Sequence, residues 1–90
     1  MISKKFRITN ETGIHARPAT ALVNEAMKHE CDIRLIALKK SVDFKSIMGV
    51  MSLGIYSGTT IEVEADGVDE VDAVEGIKEK LIQLGLGKEI

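Results

Sequence analysis

The chain has 90 residues, enough for one domain built around one core, and its net charge of −2 is spread along the chain with no basic tract for nucleic acid and no acidic tail. Two Phe, one Tyr and no Trp leave no platform on which bases could stack, and the single Cys31 excludes an internal disulfide and suits a reducing compartment. No apolar run approaches the roughly 18 residues of a membrane span, and no signal-peptide core follows Met1-Ile2-Ser3-Lys4-Lys5, so a cytoplasmic chain without membrane insertion is expected.

Ile2 to Thr9 place Ile2, Phe6 and Ile8 in alternation with polar residues, the pattern of a half-buried strand. Asn10-Glu11-Thr12-Gly13 break it. From Ala16 onward Ala19, Leu22, Val23, Ala26 and Met27 form one apolar stripe, which predicts a helix ending near Lys28-His29. Ile33 and Leu35 alternate with Asp32 and Arg34, and Val42 and Phe44 follow Lys39-Lys40-Ser41, which predicts a hairpin of two strands. Its turn lacks the Gly or Asn such a hairpin normally wants. Ile36 and Leu38 break the alternation, so one of them is expected to be exposed.

Ser46 to Gly54 reads as a short helix, with serine as N-cap and glycine just past its end. Two turns cannot bury Ile47, Met48, Val50, Met51 and Leu53 together, so part of this apolar surface is expected to face a partner. Ile61, Val63 and Ala65 alternate with Thr60, Glu62 and Glu64 in a fourth strand ending at Asp66-Gly67. Val71, Val74, Ile77 and Leu81 then define a third helix, with Ile82 and Leu84 widening its apolar face and Gly85 as its stop. Asp69, Glu70 and Asp72 at its start and Lys78 and Lys80 later match the helix dipole. Four strands and three helices whose stripes all need a sheet give a two-layer α+β sandwich.

The chemistry concentrates in Gly13-Ile14-His15-Ala16-Arg17-Pro18-Ala19. A glycine turn brings His15 to a helix start, where Pro18 fits the first turn and the free backbone N–H groups near Ala16 and Arg17 favour an anion. Arg17 adds a fork of donors suited to a phosphoryl group. A lone histidine at a helix start is more often a cap or a surface residue; the second motif around Ser46 is what shifts the balance. Cys31 reads as a small apolar filler, and His29 as a residue favoured by the negative end of its helix. No metal-ligand spacing is present and no cofactor is implied.

The segments Gly13 to Thr20 and Lys45 to Gly54 resemble the two signature segments of the HPr family, the histidine-containing phosphocarriers of the bacterial sugar phosphotransferase system, and the resemblance runs along essentially the whole chain. It implies an open-faced β-sandwich in the order βαββαβα, a four-stranded antiparallel sheet with three helices on one face. It further implies that His15 carries a phosphoryl group on Nδ1, taken from Enzyme I and passed to IIA domains of sugar permeases, so that the chain is a carrier and not an enzyme. Arg17 and the amides of Ala16 and Arg17 would hold the phosphate. Arg17, Thr20, Ile47, Met48 and Met51 would meet partners.

Ser46 resembles the regulatory serine of the Gram-positive type, modified by HPr kinase/phosphorylase. Its phosphorylated form in that family binds catabolite control protein A in carbon catabolite repression, a route to transcription regulation without direct nucleic-acid contact. A monomer is expected. The alternative within the family is a regulatory module like Crh, which keeps the serine but has glutamine in place of the histidine; the presence of His15 weighs against it. A small hydrolase would need a general base or metal ligands, and Glu11 is the only carboxylate near His15 in sequence. Leu38-Lys39, His29 and Asp43-Phe44 depart from the family's usual residues, and Asp43 adds charge beside Ser46.

Overall fold

The computed structural model describes all 90 residues. Its elements are β1 (Ile2–Ile8), α1 (Ala16–Met27), β2 (Asp32–Ala37), β3 (Lys40–Asp43), α2 (Ile47–Ser52), β4 (Thr60–Asp66), α3 (Glu70–Gln83) and β5 (Gly87–Glu89). The strands form one antiparallel sheet in the order β3-β2-β4-β1-β5. The α+β class and the three helices of the sequence reading hold, but the sheet has five strands, not four. After α3 the chain turns at Gly85, in the left-handed conformation at φ +67°, and adds β5 to the outer edge of β1. A Cβ at Gly87 would strike the carbonyl of Arg7, so only glycine lets the two strands approach this closely.

Alternation decides which face is which. Phe6, Ile8, Ile33, Leu35, Ile61, Val63 and Ala65 point inward and join Ala19, Leu22, Val23 and Ala26 of α1 and Ala73, Val74, Ile77 and Leu81 of α3 in one buried cluster. The other sheet face is open and polar. There Arg34 faces Glu64 and Lys5 faces Glu62 across neighbouring strands.

Some apolar residues expected inside lie outside. Met27, Val71, Ile82 and Leu84 are exposed, because α1 and α3 lie over the sheet and each buries only a narrow stripe. Of the two residues that break the β2 alternation, Leu38 is exposed and Ile36 half-buried. The β2–β3 turn is made by Leu38 and Lys39, both at positive φ (53° and 68°). This is the backbone of a tight two-residue hairpin, imposed on residues that disfavour it because the strand register leaves room for no other loop.

The helix ends are tied together away from the His15 loop. Asp69, at the start of α3, accepts hydrogen bonds from the N–H groups of Glu30 and Cys31, each at 2.9 Å. His29 Nε2 lies 3.2 Å from Glu25 Oε2, and His29 Nδ1 lies 3.7 Å from Asp69 Oδ2. Lys45 donates to the carbonyl of His29 at 2.8 Å and so closes the C-terminus of α1 from the segment leading into α2. Burial opposes ionisation of Glu25, but hydrogen bonds from His29 and Lys28 outweigh it and hold its carboxyl below the usual range. The Cys31 thiol is buried, and burial together with the neighbouring Asp69 pushes it up to about 11, so it is protonated at neutral pH.

Candidate functional site

Gly13 adopts φ +66°, and a Cβ there would collide with the carbonyl of Ile55 and the backbone of Tyr56. The close approach allows the N–H of Ile14 to donate to the carbonyl of Ile55 at 3.1 Å, which pins the β1–α1 loop to the segment after α2. Ile14 is buried, and the next residue, His15, is turned outward.

His15 is the N-cap of α1, with extended backbone (φ −108°, ψ −169°) and no capping hydrogen bond from its side chain. Its carbonyl accepts from the N–H of Ala19 at 2.9 Å, the first helical turn. The ring is therefore not used as a cap, the ordinary structural role for a residue at this position. The N–H groups of Ala16 and Arg17 precede the first helical hydrogen bond, and Pro18, third in the helix, has none to offer. The positive end of a 12-residue helix thus presents two free amides beside an exposed imidazole. Arg17 is exposed and in no ion pair, so its guanidinium is free to meet an anion. Thr20 is exposed too, its hydroxyl donating to the carbonyl of Ala16 at 2.9 Å.

The second motif stands against the first, since α2 packs on α1. Ser46 caps α2, its Oγ accepting from the N–H of Gly49 at 3.0 Å. Ahead of it Asp43 holds the turn, accepting from the N–H of Lys45 at its side chain and from that of Ser46 at its carbonyl. Val50 and Leu53 are buried, whereas Ile47 and Met51 are partly open and Met48 is 83% exposed. The expected apolar ledge is therefore present, made of the residues named for it. The one concave depression of the surface, about 290 Å³, lies elsewhere, on the open sheet face beside Asp32, Arg34, Glu64 and Asp66.

In the sequence Asn10 reads only as a strand breaker. Its side-chain Nδ2 in fact donates to the carbonyl of Gly13 at 2.7 Å and to Thr12 Oγ1 at 3.2 Å, and its own carbonyl accepts from the N–H of Gly13. An Asn at the first and Gly at the fourth position of a four-residue turn was the available signal.

The α+β sandwich thus presents one unengaged histidine at a helix N-terminus, beside an exposed methionine-rich ledge. The family model described as the phosphorylation site of the HPr component of the phosphotransferase system matches residues 2–83. A histidine-containing phosphocarrier protein from Mycoplasma is 41% identical, with 96% of this chain and 98% of that one covered at a TM-score of 0.94. The phosphocarrier protein HPr of Bacillus anthracis is 35% identical, with 88% and 94% covered at a TM-score of 0.82. Crh of Bacillus subtilis, a catabolite repression protein solved as a swapped, intertwined dimer, is 37% identical, with 92% and 95% covered at a TM-score of 0.72. The chain belongs to the HPr family, the phosphocarriers of the phosphotransferase system.

Proposed function

We propose that His15 is the phosphoryl acceptor of this chain, taking the group from phospho-Enzyme I and giving it to IIA domains of sugar permeases. The observation that carries the reading is an exposed imidazole that makes no capping bond beside two free helix amides and an unpaired arginine. A neutral imidazole offers the lone pair of Nδ1 to phosphorus. The new N–P bond forms as the donor's N–P bond breaks and its electron pair returns to the donor imidazole, so no water is consumed. The amides of Ala16 and Arg17 and the Arg17 guanidinium face the charge spread over the phosphoryl oxygens. Nothing encloses them, which suits a group that must be given away again.

Partners dock through Arg17, Thr20, Ile47, Met48 and Met51 on this reading. Ser46 is the regulatory site, modified by HPr kinase/phosphorylase, and its phosphorylated form is the one that meets catabolite control protein A. Phosphorylation places about two negative charges at the start of α2 beside the ledge. Replacement of Ser46 by Asp, also a good N-cap, is expected to leave the thermal midpoint within a few degrees while slowing transfer from Enzyme I; an unchanged rate would show that charge at the ledge does not govern docking.

Similarity to Crh supports a second reading, a module acting mainly through phosphoserine 46. The two are separated by incubation with phosphoenolpyruvate and Enzyme I followed by intact mass. The carrier reading predicts one acid-labile phosphoryl group, absent in His15→Ala, whose stability stays within about 0.5 kcal/mol because the side chain is exposed. No added mass, with Ser46 still modified by kinase and ATP, would select the regulatory module.

A further inference from the structure

The loop that delivers His15 is tied to the last strand of the chain. The carbonyl of Leu86 accepts from the N–H of Thr9 at 2.8 Å and from that of Asn10 at 3.4 Å. From there the restraint passes through the Asn10 side chain to the carbonyl of Gly13 at 2.7 Å, two residues before the imidazole. The orientation of this amide is fixed, because the Gly13 carbonyl can only accept and a flipped amide would set oxygen against oxygen. The remaining atom, Asn10 Oδ1, is buried without a hydrogen-bond partner. An orphaned acceptor destabilises the fold, and the donor contacts to Gly13 and Thr12 are what the chain gains in exchange. Leu86 itself is held by β5, through the pairing of Gly87 with Ile8 and of Lys88 with Arg7, and by ion pairs of Glu89 with Lys4 at 3.4 Å and Lys78 at 2.8 Å.

We propose that Asn10 is a positioning residue for phosphoryl transfer, fixing the Gly13–His15 backbone relative to the start of α1, and that β5 is the anchor through which it acts. The inference rests on His15 being the phosphoryl acceptor. In-line transfer between two histidines depends on aim, and a displacement of about 1 Å from a change outside the reacting groups can cost up to about a hundred-fold in rate. The ledge of Ile47, Met48 and Met51 is not part of this path, so that share of the docking surface is left intact when the path is cut.

The test is steady-state transfer from phospho-Enzyme I with this chain as the varied substrate, for the unaltered protein, Asn10→Asp and Gly87→Ala. Asn10→Asp keeps the size of the side chain but at neutral pH cannot donate to Gly13. Gly87→Ala acts from the far end, by pushing β5 off the carbonyl of Arg7. Both are expected to lower kcat by roughly ten-fold or more with KM changed less than about two-fold. A merely structural role gives the opposite split, since a partly unfolded population lowers the effective concentration of carrier, raising the apparent KM and sparing kcat at saturation. Raised KM at unchanged kcat, or unaltered constants in both variants, would overturn the positioning role. Failure of the unaltered protein to accept a phosphoryl group on His15 would instead overturn the reading on which the inference stands. Should Asn10→Asp not fold, Gly87→Ala alone decides, because its substitution lies in the peripheral strand.

Discussion

At the scale of single residues, backbone conformation and hydrogen-bonding capacity explain more than hydrophobicity does. Leu38 and Lys39 occupy left-handed conformations that Asn and Gly adopt at far lower cost. Replacing the pair by Asn-Gly is expected to stabilise the chain by about 1 kcal/mol, read as a higher denaturant midpoint at unchanged slope; an unchanged or lower midpoint would mean that the exposed Leu38 makes a compensating contact. The same turn marks the reach of sequence reasoning. Alternation in β2 and β3 was enough to predict a hairpin, but the residues between them concealed its turn type, because the register and not the local preference sets their φ values. His15 and Arg17 were legible for the converse reason. Their place follows from Gly13 and Pro18, residues whose backbone limits are local.

At the scale of elements, helix starts do the organising, and each is used differently. His15 leaves the start of α1 free for an anion, Ser46 closes the start of α2, and Asp69 turns away from its own helix to bind the N–H groups of Glu30 and Cys31. These hydrogen bonds, led by the Glu30 N–H, lower the Asp69 carboxyl from its usual value near 3.9 to about 2. A folded-state value below the unfolded one means that Asp69 stabilises the fold fully above about pH 4 and that this contribution is lost as the pH falls from about 4 toward 2. Asp69→Asn is therefore expected to be less stable than the unaltered protein at pH 7, with the gap narrowing toward pH 2; a gap independent of pH would contradict the assignment. The sequence pattern puts Asp69 in the first turn of α3 and assigns it to the helix dipole, whereas it is the N-cap, one residue ahead of that turn, with its side chain bonded elsewhere. Its actual partners lie 38 and 39 residues away, a distance that no local pattern encodes.

For the whole molecule, two layers were foreseeable because three apolar stripes and four alternating segments have few ways to cover one another. The fifth strand was not. Gly87-Lys88-Glu89 has neither alternation nor strand-forming residues, and it becomes a strand only because the turn at Gly85 sets it against the free edge of β1. The exposure of Val71, Ile82 and Leu84 escaped prediction for a related reason, since how wide a stripe a helix buries depends on how it lies over the sheet. The fold brings the β1–α1 loop, the segment after α2 and the carbonyl of Leu86 together, so that elements from the beginning, middle and end of the chain support one histidine.

The most direct test of that arrangement is a pair of amide proton–nitrogen correlation spectra, recorded before and after phosphorylation by phosphoenolpyruvate and Enzyme I. The largest downfield proton shifts are expected on the amides of Ala16 and Arg17, as they begin to donate to phosphoryl oxygens, while the amides of β2 and β3 stay in place. Phosphorylation that leaves these two amides unmoved, or that shifts residues remote from the start of α1 more strongly, would contradict the claim that the helix N-terminus holds the phosphoryl group.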